Sequence, residues 1–436
     1  MSININPKNF EFFKHAQDIS SKILLILLLI TPLGIISGPF LSDLFISLSA
    51  LFFIFISIKN KLKEYFYNAF SISFFIWCFY LILLSLFSKN PYLSLESSLF
   101  YFRFGIFAIA IWFAIERFKN FLFIFGLIFF ITYFFVIFDG YFQFLFGFDI
   151  FGLKSPTSAL GSYRISGIFG DELVLGSYLS RFLPFLVYFI FIIFEKNKNL
   201  IILFSLSAIF FSSILIFLSG ERSAFLYFII TIFIFIFFIK KYRIYFLSIF
   251  CTIIFLTSLL YFVEPRFKER MFDYTIKQTN IFGDKIHFFS VQHQVIYETA
   301  FKIFKDNYIF GIGPKMFREI CKKKKYISSN PKDLSVDGCE NNPHNFYIQL
   351  LAETGLVGSM PFILVFFGII YLFFKHINSI FIRKKPFFDE KQICLLTTVF
   401  ITFWPLVPSG NLFNNWINSI IFLPIGFILM YRFKKI

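Results

Sequence analysis

Apolar runs close to the length of a bilayer crossing recur along the whole chain, from Ile23 to Tyr431, with only short polar punctuation between them. About 20 such residues cross the hydrocarbon layer as a helix, and a water-soluble core has no room for so many in series. The pattern predicts an all-α integral membrane protein of about twelve transmembrane helices. They are expected near 22–38, 40–58, 67–87, 98–115, 121–147, 172–194, 200–218, 223–240, 244–263, 346–374, 392–408 and 412–431, with Ser37-Gly38-Pro39 dividing the first two. Composition agrees: 58% of the 436 residues are hydrophobic, 23% are aromatic and 77 are Phe.

Short loops rich in Lys and Arg stay cytoplasmic, so the cations orient the bundle. Lys59, Lys61 and Lys63; Arg117 and Lys119; Lys196 and Lys198; Lys240, Lys241 and Arg243; Lys375, Arg383, Lys384 and Lys385; and Arg432, Lys434 and Lys435 fall on alternate connections. Both termini are therefore expected in the cytoplasm. The formal charge of +16 reads as topology and attraction to anionic membrane lipid, with no nucleic-acid partner. Glu11, Lys14, His15 and Asp18, without a small-residue cleavage site, argue against a removable signal peptide. The expected organisation is a bundle of nine spans over 1–263, a long outer loop over 264–345 and a bundle of three spans over 346–436. That loop is rich in Lys and Arg, but long loops translocate regardless of charge.

The outer face then receives a loop near 148–171, the tight Ser219-Gly220-Glu221-Arg222 connection and the long insertion. Within the insertion Ile296, Ala300, Ile303 and Phe304 recur at helical spacing, predicting a membrane-surface helix that stops before Gly311-Ile312-Gly313-Pro314. Gly311 and Gly313 offer either backbone amides to a phosphate or a plain helix stop. Cys321 and Cys339 bracket a polar, Lys-rich stretch with little apolar surface to hold it, and an oxidising compartment permits a disulfide between them. No second pair of Cys or His lies at ligand spacing, so no metal is expected. Cys78, Cys251 and Cys394 lie in apolar spans and read as packing residues.

Three residues on this face carry chemistry. His344, at the mouth of a membrane helix, exchanges a proton near neutral pH. Its structural alternative is an interfacial cap in which Asn342 or Asn345 closes the helix start. Arg164 and Arg222 offer the planar, permanently charged fork that suits phosphate. Each also has a simpler reading, Arg222 paired with Glu221 and Arg164 with Asp171 or Glu172. His287 and His293 compete with His344 as base and rank below it.

These residues stand in segments that resemble the O-antigen ligase and polymerase superfamily of bacterial inner-membrane transferases. His344-Asn345 followed by Gly355-Leu356-Val357-Gly358 is similar to the ligase signature. Arg164-Ile165-Ser166-Gly167, Ser219-Gly220-Glu221-Arg222-Ser223 and Phe304-Lys305-Asp306-Asn307 leading into Gly311-Ile312-Gly313-Pro314 match further segments. The resemblance implies a GT-C type inner-membrane enzyme with its active face in the periplasm. Its donor would be an undecaprenyl-diphosphate-linked glycan and its acceptor a lipid A-core sugar, with no cofactor. Arg164 and Arg222 would hold the diphosphate and His344 would orient or deprotonate the acceptor hydroxyl, by an inverting, metal-independent route. Asn345, Gly311 and Gly313 would support them.

An O-antigen polymerase or a protein O-oligosaccharyltransferase would use the same donor. A polysaccharide transporter or flippase is the reading from another class, and it would place charge near the midplane. The spans are almost free of mid-helix charge, with Arg103, Asp139 and Arg181 as exceptions, and the cationic outer cluster favours a one-sided enzyme.

Overall fold

A helix occupies each expected apolar stretch in the computed structural model, which describes residues 18–155, 164–263, 268–279, 289–330, 333–382 and 384–433. The order is α1 (Ile19–Ile36), α2 (Pro39–Lys59), α3 (Ala69–Leu86), short α4 (Pro91–Ser98), α5 (Phe102–Arg117), α6 (Phe121–Phe146), α7 (Leu175–Ile193), α8 (Lys198–Ser219), α9 (Arg222–Phe238) and α10 (Arg243–Val263). The insertion adds α11 (Tyr274–Thr279), α12 (Val291–Asp306) and α13 (Phe317–Ile320), with a hairpin of β1 (Ser329–Asn330) and β2 (Asp333–Asp337). The chain closes with α14 (Phe346–Ile382), α15 (Glu390–Thr402) and α16 (Asn415–Phe433). Among the described residues nine helical stretches are long and apolar enough to cross a membrane, while Arg222–Phe238 and Asn415–Tyr431 are apolar but shorter. A total of twelve crossings requires counting those two and the 13-residue α15 as spans.

Helix ends follow local chemistry. Asn68, Asn90 and Asn197 cap the starts of α3, α4 and α8 with their side-chain oxygens, and Asp389 closes a capping box with Gln392 at α15. Gly220 ends α8 at φ 65°, a conformation open to glycine at no steric cost, and so lets Glu221 and Arg222 follow at once as the start of α9.

Helix α7 is the axis of the bundle. It is buried along nearly its whole length, as expected of a helix apolar on all sides, and it packs against α6, α8, α9 and α15. Helix α16 packs on α5 and α2. By contrast α10 leaves Ile244, Phe255, Leu259 and Phe262 exposed, a surface suited to lipid.

The insertion has its own small core, in which Ile296, Ala300 and Ile303 of α12 meet Met316, Phe317 and Ala352. A disulfide joins Cys321, at the end of α13, to Cys339, beyond β2. Closing a loop of this length constrains the unfolded chain by about 3 kcal/mol. The turn after α12 is woven into α14 where that helix breaks. Gly355 has φ 64°, and the freed N–H groups of Leu356 and Val357 donate to the carbonyls of Tyr308 (2.8 Å) and Ile309 (3.2 Å). A Cβ on Gly311 would run into the Glu353 backbone, and one on Gly355 into Ile309. The backbones touch at the two glycines because neither has a side chain.

Candidate functional site

His344 stands just before α14, in the left-handed region at φ 54°, which side chains rarely adopt. It is held from both sides: its N–H donates to Asn342 Oδ1 (2.9 Å) and its carbonyl accepts the N–H of Ser409 (2.7 Å). Asn345 is the cap. Its Oδ1 accepts the N–H groups of Tyr347 (3.0 Å) and Ile348 (3.2 Å), while its Nδ2 donates to the Pro405 carbonyl (2.7 Å). Capping thus falls to Asn345, and His344 presents a half-buried ring.

The connection between α15 and α16 does much of this holding. Ser409 Oγ also accepts the N–H of Phe346 (2.9 Å), and Asn411 Oδ1 accepts from Gln349 Nε2 (2.8 Å). Sequence reasoning gave this connection no part and expected a span to 408. The helix stops at Thr402 instead, because Pro405 and Pro408 oppose helical backbone before them. Those prolines with Ser409-Gly410-Asn411 were the available signal.

The ring of His293, in the first turn of α12, meets that of His344 edge to face, with centroids 5.9 Å apart. Burial pushes the His293 imidazole down to about 4, and the positive charges of His344 and Arg222 push the same way. It therefore stays neutral near pH 7. His344 is also lowered by burial, an effect opposed by the negative charge of Glu340. His287 lies outside the described residues.

Arg222 opens α9 and acts on His293 through its charge. Its Nη1 donates to Thr275 Oγ1 (3.1 Å) and its Nη2 to Gln278 Oε1 (2.5 Å), both from α11. The pairing of Arg222 with Glu221 expected as the simpler reading does not form, because Glu221 turns the other way. Its carboxylate accepts the N–H groups of Gly176 (2.7 Å) and Ser177 (3.0 Å) at the start of α7. Burial pushes Glu221 up to about 7, against the opposing pull of Arg164, those two N–H groups and Arg181. Arg164 donates from Nε to the carbonyl of Ser219 (2.8 Å), the last residue of α8. Its loop is pinned two residues on, where Gln143 Oε1 of α6 accepts the N–H groups of Ser166 (2.9 Å) and Gly167 (2.8 Å).

Of the residues singled out from sequence, His344 meets His293 ring to ring, Arg222 acts on His293 through its charge, and Arg164 acts on Glu221 in the same way. Thr275, Gln278 and Ser290 were not anticipated, since short polar side chains in a long polar insertion carry no periodic signal. Arg181 was noted only as a charge within a span; its guanidinium lies over the Tyr227 ring, 5.1 Å from the centroid. Gly311 and Gly313 do not point amides at a ligand. Their N–H groups donate to the carbonyls of Asn307 and Glu353, both at 2.8 Å, so the helix-stop reading is the one the backbone follows. Glu353 holds this turn from α14, its carboxylate accepting the N–H of Phe317 (3.0 Å) and a proton of Gln349 Nε2 (2.9 Å). Among the described residues no three His, Cys, Asp or Glu side chains gather as a metal site.

Residues 206–363 match the family model for O-antigen ligases. The match spans about a third of the chain and marks that segment as similar to O-antigen ligases. No curated protein matches the chain. The matched segment begins within α8 and ends in α14 just past its break, so it contains Arg222, His293, His344 and Asn345, while Arg164 precedes it. The match supports glycosyltransferase activity of ligase or related polymerase type, lipid-linked glycan substrates and a multi-pass setting in a bacterial inner membrane.

Proposed function

We propose that the chain is an O-antigen ligase, which moves a glycan from undecaprenyl diphosphate to a hydroxyl of a lipid A-core sugar on the periplasmic face. The observation that carries this reading is the meeting of the His344 and His293 rings, with Arg222 near enough to act on His293 through its charge and Arg164 acting likewise on Glu221. A base and two fixed cations on one face suit displacement at a carbon that bears a diphosphate. The acceptor oxygen attacks the anomeric carbon, the bond from that carbon to the phosphate oxygen breaks, and the diphosphate leaves with the electron pair. His344 takes the hydroxyl proton. Attack opposite the leaving group inverts the anomeric centre. Charge grows on the leaving oxygens, so guanidinium groups beside them stabilise the transition state more than the bound donor. The same two arginines supply the cations that magnesium would otherwise bring, which supports a metal-independent route.

The purified protein, given lipid-linked donor and lipid A core with a chelator present, is expected to cap the core. Lengthening of donor-linked glycan without capping would assign a polymerase instead. A requirement for added divalent metal would end the metal-independent route.

Two further outcomes follow from this reading. The outer placement of the insertion predicts that a cysteine replacing Lys305 on α12 is labelled by an impermeant thiol reagent in intact spheroplasts. One replacing Lys119, between α5 and α6, should be labelled only after lysis. The reverse pattern would invert the topology and remove the site from the periplasm.

The second outcome concerns pH. A base must be unprotonated, and burial holds the His344 pKa below the ordinary 6.5, so its active form dominates at neutral pH and is lost as pH falls through the lowered value. The acid limb of kcat/KM should therefore have its midpoint below 6.5. A midpoint at or above that value would show that another group is titrating.

A further inference from the structure

We propose that His293 is the positioning residue of His344: it holds the ring of the base in its working attitude. This role rests on the reading of His344 as the base. A catalytic base is ordinarily oriented by a third group bonded to its far side. Among the described residues neither ring nitrogen of His344 has a hydrogen-bond partner, and Asn342 and Ser409 hold only its backbone. The group against its ring is His293, with an interplanar angle of 84°.

His293 is itself anchored. Ser290 caps α12, and its Oγ accepts the backbone N–H of His293 (3.4 Å) while lying 2.5 Å from His293 Nδ1. That contact fixes the ring of His293 whichever of the two atoms carries the shared proton. Tyr297, one turn along α12, flanks the ring with centroids 6.0 Å apart. The charged and titratable groups facing the pair are Arg222 from α9, Glu340 on the His344 side and Tyr297 on the same helix. Burial and the two positive neighbours keep His293 uncharged when His344 takes up a proton. The aromatic contact therefore persists through the transfer, and an uncharged ring beside an imidazolium is attractive where a second cation would repel.

The test compares His293→Ala and His293→Phe with wild type in the purified full-length protein, at matched membrane abundance. His293→Ala should lower kcat by about 10- to 100-fold with the donor KM unchanged. His293→Phe, which keeps the ring contact but has no nitrogen, should retain most of the wild-type kcat and an acid limb below 6.5. A second readout needs no transfer activity: the rate at which diethyl pyrocarbonate modifies His344, followed by mass spectrometry, should rise in His293→Ala and stay at the wild-type value in His293→Phe. Unchanged kcat or unchanged modification in His293→Ala overturns the proposal. So does a raised donor KM with the Phe variant as impaired as the Ala variant, since that marks a phosphate ligand. If His344→Ala itself remains active, the base assignment fails, while the modification rates still decide whether His293 shields His344.

Discussion

His344→Ala is expected to abolish measurable glycan transfer while the protein remains inserted and still binds the lipid-linked donor. A positioned base contributes about 10²- to 10⁴-fold, and among the described residues nothing else beside the ring takes its place: His293 is neutral and too weak a base, and Glu340 acts on His344 through its charge. Donor binding should persist because the proposed ligands of the phosphates are the arginines. His344→Asn separates chemistry from structure. Asparagine tolerates the left-handed backbone at φ 54° better than most residues and keeps the N–H to Asn342 and the carbonyl to Ser409, yet it takes up no proton near neutral pH. Helix capping is unaffected, since Asn345 performs it. The asparagine variant should fold normally and be as inactive as the alanine one in an assay with purified donor and acceptor. Full activity of His344→Asn would remove the base from the mechanism.

Arg222→Ala carries the second large effect. Removal of one fixed charge from a preorganised site lowers turnover by about 10²- to 10³-fold. It also leaves Thr275 and Gln278 without the fork that ties α11 to α9. Arg222→Lys keeps the charge but cannot reach both partners in one plane, so its activity should fall between alanine and wild type, with the donor KM raised. Arg164→Ala should follow the same order with a smaller loss, because Glu221 beside it already draws on its charge. Steady-state kinetics with donor varied at saturating acceptor measures all three. Alanine variants as active as wild type at equal membrane abundance would remove the diphosphate role.

The membrane class and the positions of the helices were legible in the chain itself, and three residues of the proposed site were singled out from it. Runs of apolar residues declare bilayer helices because lipid offers backbone groups no partner, and cations in short loops report orientation through the same solvent boundary. A histidine and two arginines on predicted outer connections were conspicuous because charge is rare in such a composition. Which groups these residues face was a matter for the tertiary structure. Glu221 and Arg222 are neighbours in sequence, yet the carboxylate turns to the start of α7 and the guanidinium to α11, because φ 65° at Gly220 opens α9 at that point. The two glycines suggestive of a phosphate cradle proved to be the contact between the α12 turn and the break in α14, visible only when both backbones are in place. His293 and His344 are 51 positions apart by their numbers, and no periodicity links an early residue of a surface helix to the mouth of a membrane helix. Their meeting depends on the packing of α12 against α14 and on the connection before α16, which carries Ser409. Local sequence governs which residues are helical and which are charged, whereas the direction each charge faces depends on contacts between segments distant in sequence.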